Sequence, residues 1–569
     1  MKNQEVAVPV ARRHDLDALR AGAMLLGIAL HAGMSLTGFP WIVQDTRTNP
    51  VFILLLLLIH DFRMQLFMLV SGYFTMMVYR KRGLKPLLRQ RFMRIGIPLM
   101  VSMVTLIPLL QLTSAWAIAR GAKADSQKAT GIEGTVSFRE VIVNNDLESL
   151  KRMFEAGSDI NQPDAKYQLT PLHWAALTGN TEAARELIDR GADVSIRTRD
   201  GYTPVHHAAF LGHPEVLRLL IDRGSDPAAL SPKQETALDV AATPEATTSS
   251  IAGMLQLKIP DAETLQKGRQ ECIAILMEKG VAGKVAAAEM KSKGGLDQIR
   301  RDYAAFLSSG RFQTDWNYYG KRLHLIETQV FGHLWFLWFL CFFVGFFAVF
   351  TQLLKFRPID AMFRRLCLSA YRFWILVALT MLPQMLMGTA IPNFGPDTST
   401  GIIPQPHLLA YYFVFFLFGA VYFQWQEEAP PLGQKWRVML PAGLLILLPV
   451  GLATMRNPVI GGLFQVLYSW CMVFGLIGLF EAKVGNENPY FRYLSDASYW
   501  LYLAHMPVVI VLQAVLRSSE MPSYTKFLII TNVTVLLLLV VYQLLVRYTL
   551  IGRILNGPLK QAQAKSASA

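Results

Sequence analysis

A chain of 569 residues that is 52% hydrophobic and only 17% charged, with 33 phenylalanines, is too apolar to be a string of soluble domains. Its net charge of +14 would in a soluble protein raise nucleic acid. Here the basic residues cluster beside apolar segments and no basic stripe is interleaved with stacking aromatics, which sets nucleic acid aside and points to a polytopic membrane protein. The four cysteines, Cys272, Cys341, Cys367 and Cys471, form no CxxC pair and argue against a disulfide framework or a thiolate metal site.

A membrane span needs about 20 mostly apolar residues. Ten segments qualify: 17–38, 51–79, 95–117, 330–353, 368–388, 407–425, 437–455, 459–481, 497–516 and 525–546. The first follows Arg12 and Arg13, yet Asp17, Arg20 and His31 interrupt it and no clear small-x-small cleavage site follows, so it reads as an uncleaved span rather than a secretory signal. Residues 80–94, "RKRGLKPLLRQRFMR", carry seven Lys or Arg and no acid, whereas the loops of opposite parity hold only Arg47, Arg456 and Arg517. The positive-inside rule then puts loops 80–94 and 354–367 and both termini in the cytoplasm, and the soluble block 118–329 on the far side, the periplasm of a Gram-negative cell. Were 51–79 a re-entrant hairpin, that block would move to the cytoplasm. The expected fold is an all-α polytopic helix bundle in two parts, 1–117 (spans one to three) and 330–546 (spans four to ten), with a soluble insert at 118–329 and a cytoplasmic tail at 547–569.

In span one, "LDALRAGAMLLGIALHAGMSL", Arg20 and His31 are separated by three helical turns plus roughly 20°, or about 16 Å of rise, and so share one face. Asp17, one turn before Arg20, lies on that face too. An ionisable residue at membrane depth is costly and by default marks function. The bland alternatives are interfacial anchoring for Asp17 and Arg20 and an interhelical hydrogen bond for His31. Span two, "LIHDFRMQLFMLVSGYF", carries Arg63 close to mid-membrane, where it needs an anion, carbonyls or water; the alternative is a buried ion pair, with Asp61 as partner. At the entry to span three, Arg91 and Arg94 in "RQRFMRIGIP" sit at i and i+3. Two guanidiniums on one face suit phosphate, and equally serve as topogenic charge.

Within the insert, Thr170, Thr203 and Thr236 recur at steps of 33 in "TPLHWAA", "TPVHHAA" and "TALDVAA", and Gly157, Gly191 and Gly224 precede Asp159, Asp193 and Asp226. Thr-Pro opens a helix and Gly closes one. This pattern resembles ankyrin repeats, an α-solenoid over about 137–280, with a degenerate first unit and a last one interrupted by "TPEATTSSIAGMLQLKIPDAETLQ". Its histidines, His173, His206 and His207, read as buried hydrogen-bonding groups between repeat turns more readily than as metal ligands. The array holds no catalytic grouping and reads as a binding or spacing surface.

Beyond the insert, "FGHLWFLWFL" puts His333 at the outer mouth of span four with Trp335 and Trp338 at belt depth, and "LSDASYWLYLAHMPV" buries His505 in span nine. Each histidine reads as catalytic, acceptor-binding or a helix contact.

Taken together, the Arg20-x10-His31 pair, the Arg91-x-x-Arg94 pair and the stretches "LDALRAGAMLLGIALH", "FRMQLFMLVSGYF", "RFMRIGIPLM", "HLWFL" and "DASYWLYLAHMPV" resemble acyltransferase family 3, over most of the chain outside the insert. Within that family the likeness is to members that succinylate periplasmic glucans. The resemblance implies transfer of an acyl group, succinyl or acetyl, from a cytoplasmic acyl-coenzyme A to a glycan hydroxyl outside, in the inner membrane of a bacterium. It implies acyl-CoA as co-substrate, with no tightly bound cofactor and no metal. His31, Arg20 and Asp17 would be catalytic, Arg91, Arg94 and Arg63 donor-binding, and His333, Trp335 and His505 acceptor-binding or supporting. Besides donor, glycan and lipid bilayer, the ankyrin repeats, which stand where the family has a short loop, are expected to bind the acceptor or a protein partner. A transporter of a glycan or lipid-linked intermediate is the alternative, with the ionisable residues lining its pathway. A mere membrane anchor for the repeats does not account for Arg20, His31 and Arg63 at depth.

Overall fold

A computed structural model describes residues 13–557, apart from 40, 131–136, 165–166, 233, 244–247, 249–250, 254, 256, 258, 282–294, 319–320, 389–393 and 456. Residues 558–569 of the expected cytoplasmic tail therefore lie outside the described residues, as do parts of the interruption in the last repeat. The chain forms two compact units, Met1–Gly121 with Arg300–Ala569, and Ala122–Ile299.

In the membrane unit, nine described helices are long and apolar enough to cross a bilayer, or ten if a bent pair makes one span. In chain order with that pair they are α1 (His14–Met34), α2 (Val51–Arg82), α3 (Leu84–Gly121), α4 (Gly332–Leu353), α5 (Arg357–Leu368), α6 (Arg372–Gln384), α7 (Pro406–Trp425), α8 (Trp436–Thr454), α9 (Ile460–Val484), α10 (Pro489–Leu516) and α11 (Ser523–Val546).

Two expectations change here. The basic stretch 80–94 is no loop: α2 runs through Arg82 and α3 begins at Leu84, with only Gly83 between them at φ +80, a left-handed turn suited to glycine. The span expected at 368–388 is instead the pair α5 and α6, which meet at 112°. The basic residues of α5 make it amphipathic, Cys367 being its one buried side chain, so only α6, of 13 residues, carries the apolar run.

α2 and α7 cross at glycines: a Cβ on Gly72 would fall on the carbonyl of Phe416, and one on Gly419 on the carbonyl of Leu69. Small residues allow such close approach where no hydrophobic drive separates helix from lipid. In α3 a π-turn, Phe92–Gly96, precedes Pro98. Proline donates no amide hydrogen, so the carbonyl of Arg94, four residues earlier, is left free, and it accepts from the Tyr499 hydroxyl at 2.6 Å.

The structure is not wholly helical. After a helix at Leu296–Leu307, strands β1 (Gln313–Tyr318) and β2 (Lys321–His324) pair antiparallel, Gln313 opposite His324. Leu323 and Val330 are buried in the core of the bundle, so residues 300–329 belong with the membrane unit rather than with the insert in which the sequence placed them.

In the other unit, paired helices follow the 33-residue step: Pro171–Thr178 with Thr181–Asp189, then Pro204–Leu211 with Pro214–Asp222. His173 Nδ1 accepts from the Thr170 amide at 3.3 Å, and its Nε2 donates to the carbonyl of Tyr202 in the next repeat at 3.3 Å. His206 repeats this with Thr203 and the carbonyl of Glu235, at 3.2 Å each. These histidines tie one repeat to the next, as the bland reading requires.

Candidate active site

Helices α1 and α10 lie side by side and run parallel. Arg20 Nη2 donates to Ser495 Oγ at 2.7 Å and to the Ser495 carbonyl at 3.3 Å, with Asp17 at 3.6 Å. Further along the same two helices, the rings of His31 and His505 lie 5.2 Å apart. Steps of nearly equal length on the two helices keep both pairs in register, as expected when one face of each helix meets the other.

The ring of His333, at the start of α4, lies 5.4 Å from that of His505 and nearly perpendicular to it at 84°. Three histidines from distant parts of the chain thus form a row, His31–His505–His333. Backbone carbonyls settle the tautomers of two of them. His505 Nδ1 faces the carbonyls of Leu501 and Tyr502 at 3.1 and 2.8 Å, so it carries the hydrogen. His333 Nε2 donates to the Leu503 carbonyl at 3.1 Å, which Pro507 leaves free four residues on. The opposite nitrogens, His505 Nε2 and His333 Nδ1, are buried without a partner, as is His31 Nδ1. Buried polar atoms are seldom left so, and a group of them marks a place where a ligand or water is bound.

Arg63 of α2 reaches the same place. A Cβ on Gly27 of α1 would collide with its Nη1, so the guanidinium passes over the bare face of α1. Its charge acts on His31, His505 and His60. Its Nε is buried without a partner, while Asp61 turns the other way and accepts from Ser469 Oγ at 3.0 Å. The Asp61–Arg63 ion pair considered from the sequence is not formed. His31 and Arg63 each keep accessible surface despite their depth, as residues lining an internal slot do.

Towards the other end of α1, Arg91 Nη2 donates to Thr75 Oγ1 at 2.8 Å and Arg94 Nη2 to the Asn556 carbonyl at 2.7 Å. Arg91, Arg94 and Arg20 repel one another, and among the described residues neither Arg91 nor Arg94 forms an ion pair. The Nε atoms of Arg20 and Arg91 are buried and unpartnered. Such a cluster, in which among the described residues Arg20 alone has an acid beside it, invites a polyanion.

The structure therefore brings Asp17, Arg20, Arg91 and Arg94 together at one end and His31, His333, His505 and Arg63 at the other. Trp335 stands apart, packing on Phe339 and Tyr412 at 5.1 and 5.4 Å. Among the described residues no three His, Cys, Asp or Glu side chains converge as a metal site. Sequence reasoning missed Ser495, Tyr502, Gln513 and Trp41. Tyr502, whose hydroxyl donates to the His333 carbonyl at 2.7 Å, and Ser495 lie inside a quoted stretch. Gln513 had a signal as a lone amide in an apolar span, while Trp41, in a loop, had none.

A family model described as an acyltransferase domain matches residues 13–121 and 301–547, more than half of the chain, and one for ankyrin repeats matches three copies over 139–230. Among curated proteins, the chain is similar to "Glucans biosynthesis protein C" of Shigella dysenteriae serotype 1 (strain Sd197), 41% identical over 105 residues. It is 40% identical over 105 residues to the protein of the same name from Escherichia coli (strain K12). Each alignment covers 18% of this chain and 26% of the relative, so the chain spans about a quarter of the length of the curated relatives it matches. The gap in the acyltransferase match falls where the repeats lie: this multi-pass membrane protein belongs to acyltransferase family 3, its family domain split by ankyrin repeats.

Proposed function

We propose that the protein transfers an acyl group, succinyl or acetyl, from cytoplasmic acyl-coenzyme A to a hydroxyl of a periplasmic or cell-surface glycan. The observation that carries this reading is the pairing, along one pair of helices, of a guanidinium cluster at one end with a row of histidines bearing free nitrogens at the other. Arg91 and Arg94 hold the phosphates of the donor, and the pantetheine arm passes Arg20 towards His31. His31 takes the proton of the acceptor hydroxyl as its oxygen attacks the thioester carbonyl. Arg63 faces the negative charge that develops on the carbonyl oxygen. The acyl–sulfur bond then breaks, the acyl–oxygen bond remains, and the thiolate leaves with the proton as coenzyme A thiol. An acyl-histidine intermediate satisfies the same balance in two steps. His505 and His333 support the base and meet the acceptor, and Asp17 orients Arg20. The glycan acceptor is supported by the name of the relatives above.

In this reading the protein sits in a bacterial inner membrane with both termini cytoplasmic and the ankyrin repeats in the periplasm, where they bind acceptor or a partner protein. The test compares wild type, His31→Ala and Arg91→Ala in membranes supplied with labelled succinyl- or acetyl-coenzyme A. Label should reach extractable glycan in wild type and fall at least ~100-fold in His31→Ala, the scale of general base catalysis. Equal label in all three sinks the assignment. Cys272 is buried and its thiol is pushed up to about 12 by burial, so the side of the repeats is better read by an impermeant thiol reagent on Arg199→Cys, an exposed position.

A further inference from the structure

We infer that Trp41 and Gln513 form a fixed outer clamp on His31 that keeps water from the acyl donor, and so set the choice between a hydroxyl acceptor and hydrolysis. This rests on the acyltransferase mechanism proposed above. The Trp41 indole stacks on the His31 imidazole, ring centres 5.9 Å apart and planes 18° from parallel. Its Nε1 donates to Gln513 Oε1 at 3.0 Å, and Gln513 Nε2 donates in turn to the carbonyls of His31 and Ala32 at 2.9 and 3.3 Å. Those carbonyls end α1 and have no partner within the helix. One buried amide thus ties the aromatic wall and the last turn of α1 together.

The loop that carries Trp41 is anchored rather than mobile. The Asp45 amide donates to the Ser35 carbonyl at 2.9 Å and the Asn49 amide to the Leu36 carbonyl at 2.8 Å. The Asp45 carboxylate receives Lys526 Nζ from α11 at 2.7 and 2.9 Å, both side chains being almost fully buried. Arg517 Nε donates to the Gln44 carbonyl at 2.9 Å, and Arg47 pairs with Glu520. A loop held at so many points, with one aromatic face laid on the proposed base, does not open and shut with each turnover. It stands as a wall.

Water competes for any thioester activated beside a base: the same acyl–sulfur bond breaks, a carboxylate forms in place of the ester, and coenzyme A thiol leaves. Removing the wall should therefore divert acyl groups to water without stopping thiol release. The experiment uses the full chain in proteoliposomes with labelled succinyl- or acetyl-coenzyme A and extracted periplasmic glucan. Acyl transferred and thiol released are counted together for wild type, Trp41→Ala, Trp41→Phe and Gln513→Leu. Trp41→Ala and Gln513→Leu should lower acyl transferred per thiol released at least tenfold, and Trp41→Phe, which keeps an aromatic ring beside His31 but loses the N–H and the second ring of the indole, should recover most of it. An unchanged ratio in Trp41→Ala, or transfer and release lost in step, overturns the inference. A wild-type protein that releases thiol from neither thioester overturns the acyltransferase mechanism instead, a separate outcome.

Discussion

His31 is set apart from other histidines of this chain by what it does not bond. His173 and His206 spend both ring nitrogens on the frame of their repeats, and His505 and His333 each spend one on backbone. His31 Nδ1 has no partner, and Arg63 stands nearby with an unpartnered Nε of its own. The position of Arg63 depends on the absence of a side chain at Gly27. Gly27→Ala should push the guanidinium aside, lower acyl transfer about tenfold or more, as misplacement of a positioned group does, and leave thermal stability nearly unchanged. Parallel measurement of transfer and of the unfolding midpoint checks this. The face shared by Arg20 and His31 was legible in the sequence because helical periodicity fixes it. That Asp61 and Arg63 turn to different neighbours was also foreseeable, since residues two apart diverge on a helix. Which neighbours they meet was not, because Ser469 and Gly27 enter only through the packing of three helices.

At the scale of elements, two prolines shape the site by withholding a hydrogen. Pro98 frees the Arg94 carbonyl for Tyr499, and Pro507 frees the Leu503 carbonyl for His333. Pro507→Ala supplies the missing N–H, so Leu503 gains a competing intrahelical donor. The helix should become more stable while His333 loses its anchor and transfer falls. A higher unfolding midpoint with lower activity is the expected pair of results, and unchanged activity would show that His333 needs no such tether. The lone prolines were visible in the sequence as helix disturbances, but nothing local says which side chain donates to the freed carbonyl. The bend between α5 and α6 and the hairpin β1–β2 escaped for a different reason: hydropathy averages over a window about as long as these elements, so a short amphipathic helix and a tight turn vanish into it.

At the scale of the molecule, the repeats respond to acid independently of the membrane chemistry. Burial pushes the His173 imidazole down to about 4, and burial also lowers His206, His207 and His213. A depressed histidine leaves stability whole above its unfolded value of about 6.5; stability is lost as pH falls from there towards the folded value, because only the unfolded chain takes up the proton. His173 alone should cost the repeats about 2 kcal/mol by pH 5. Hydrogen exchange of residues 170–213 in the intact protein, corrected for the intrinsic rate at each pH, should show protection falling between pH 7 and pH 5. His173→Gln, uncharged throughout, should make that dependence shallower, with the remainder owed to His206, His207 and His213.

The separation of the partners along the chain carries one more consequence. Gln513 and the His31 carbonyl it holds are 482 positions apart, with all of the repeats between them. During synthesis the leading helices must wait in the bilayer, without α10, until the ribosome has delivered and released the whole insert. Repeats, whose contacts are mostly between neighbours, fold promptly on emergence. A truncated nascent chain thus displays finished repeats while Arg20 and His31 still lack Ser495, His505 and Gln513, their partners on α10. The order of translation leaves the histidine row incomplete until the last third of the chain has entered the bilayer.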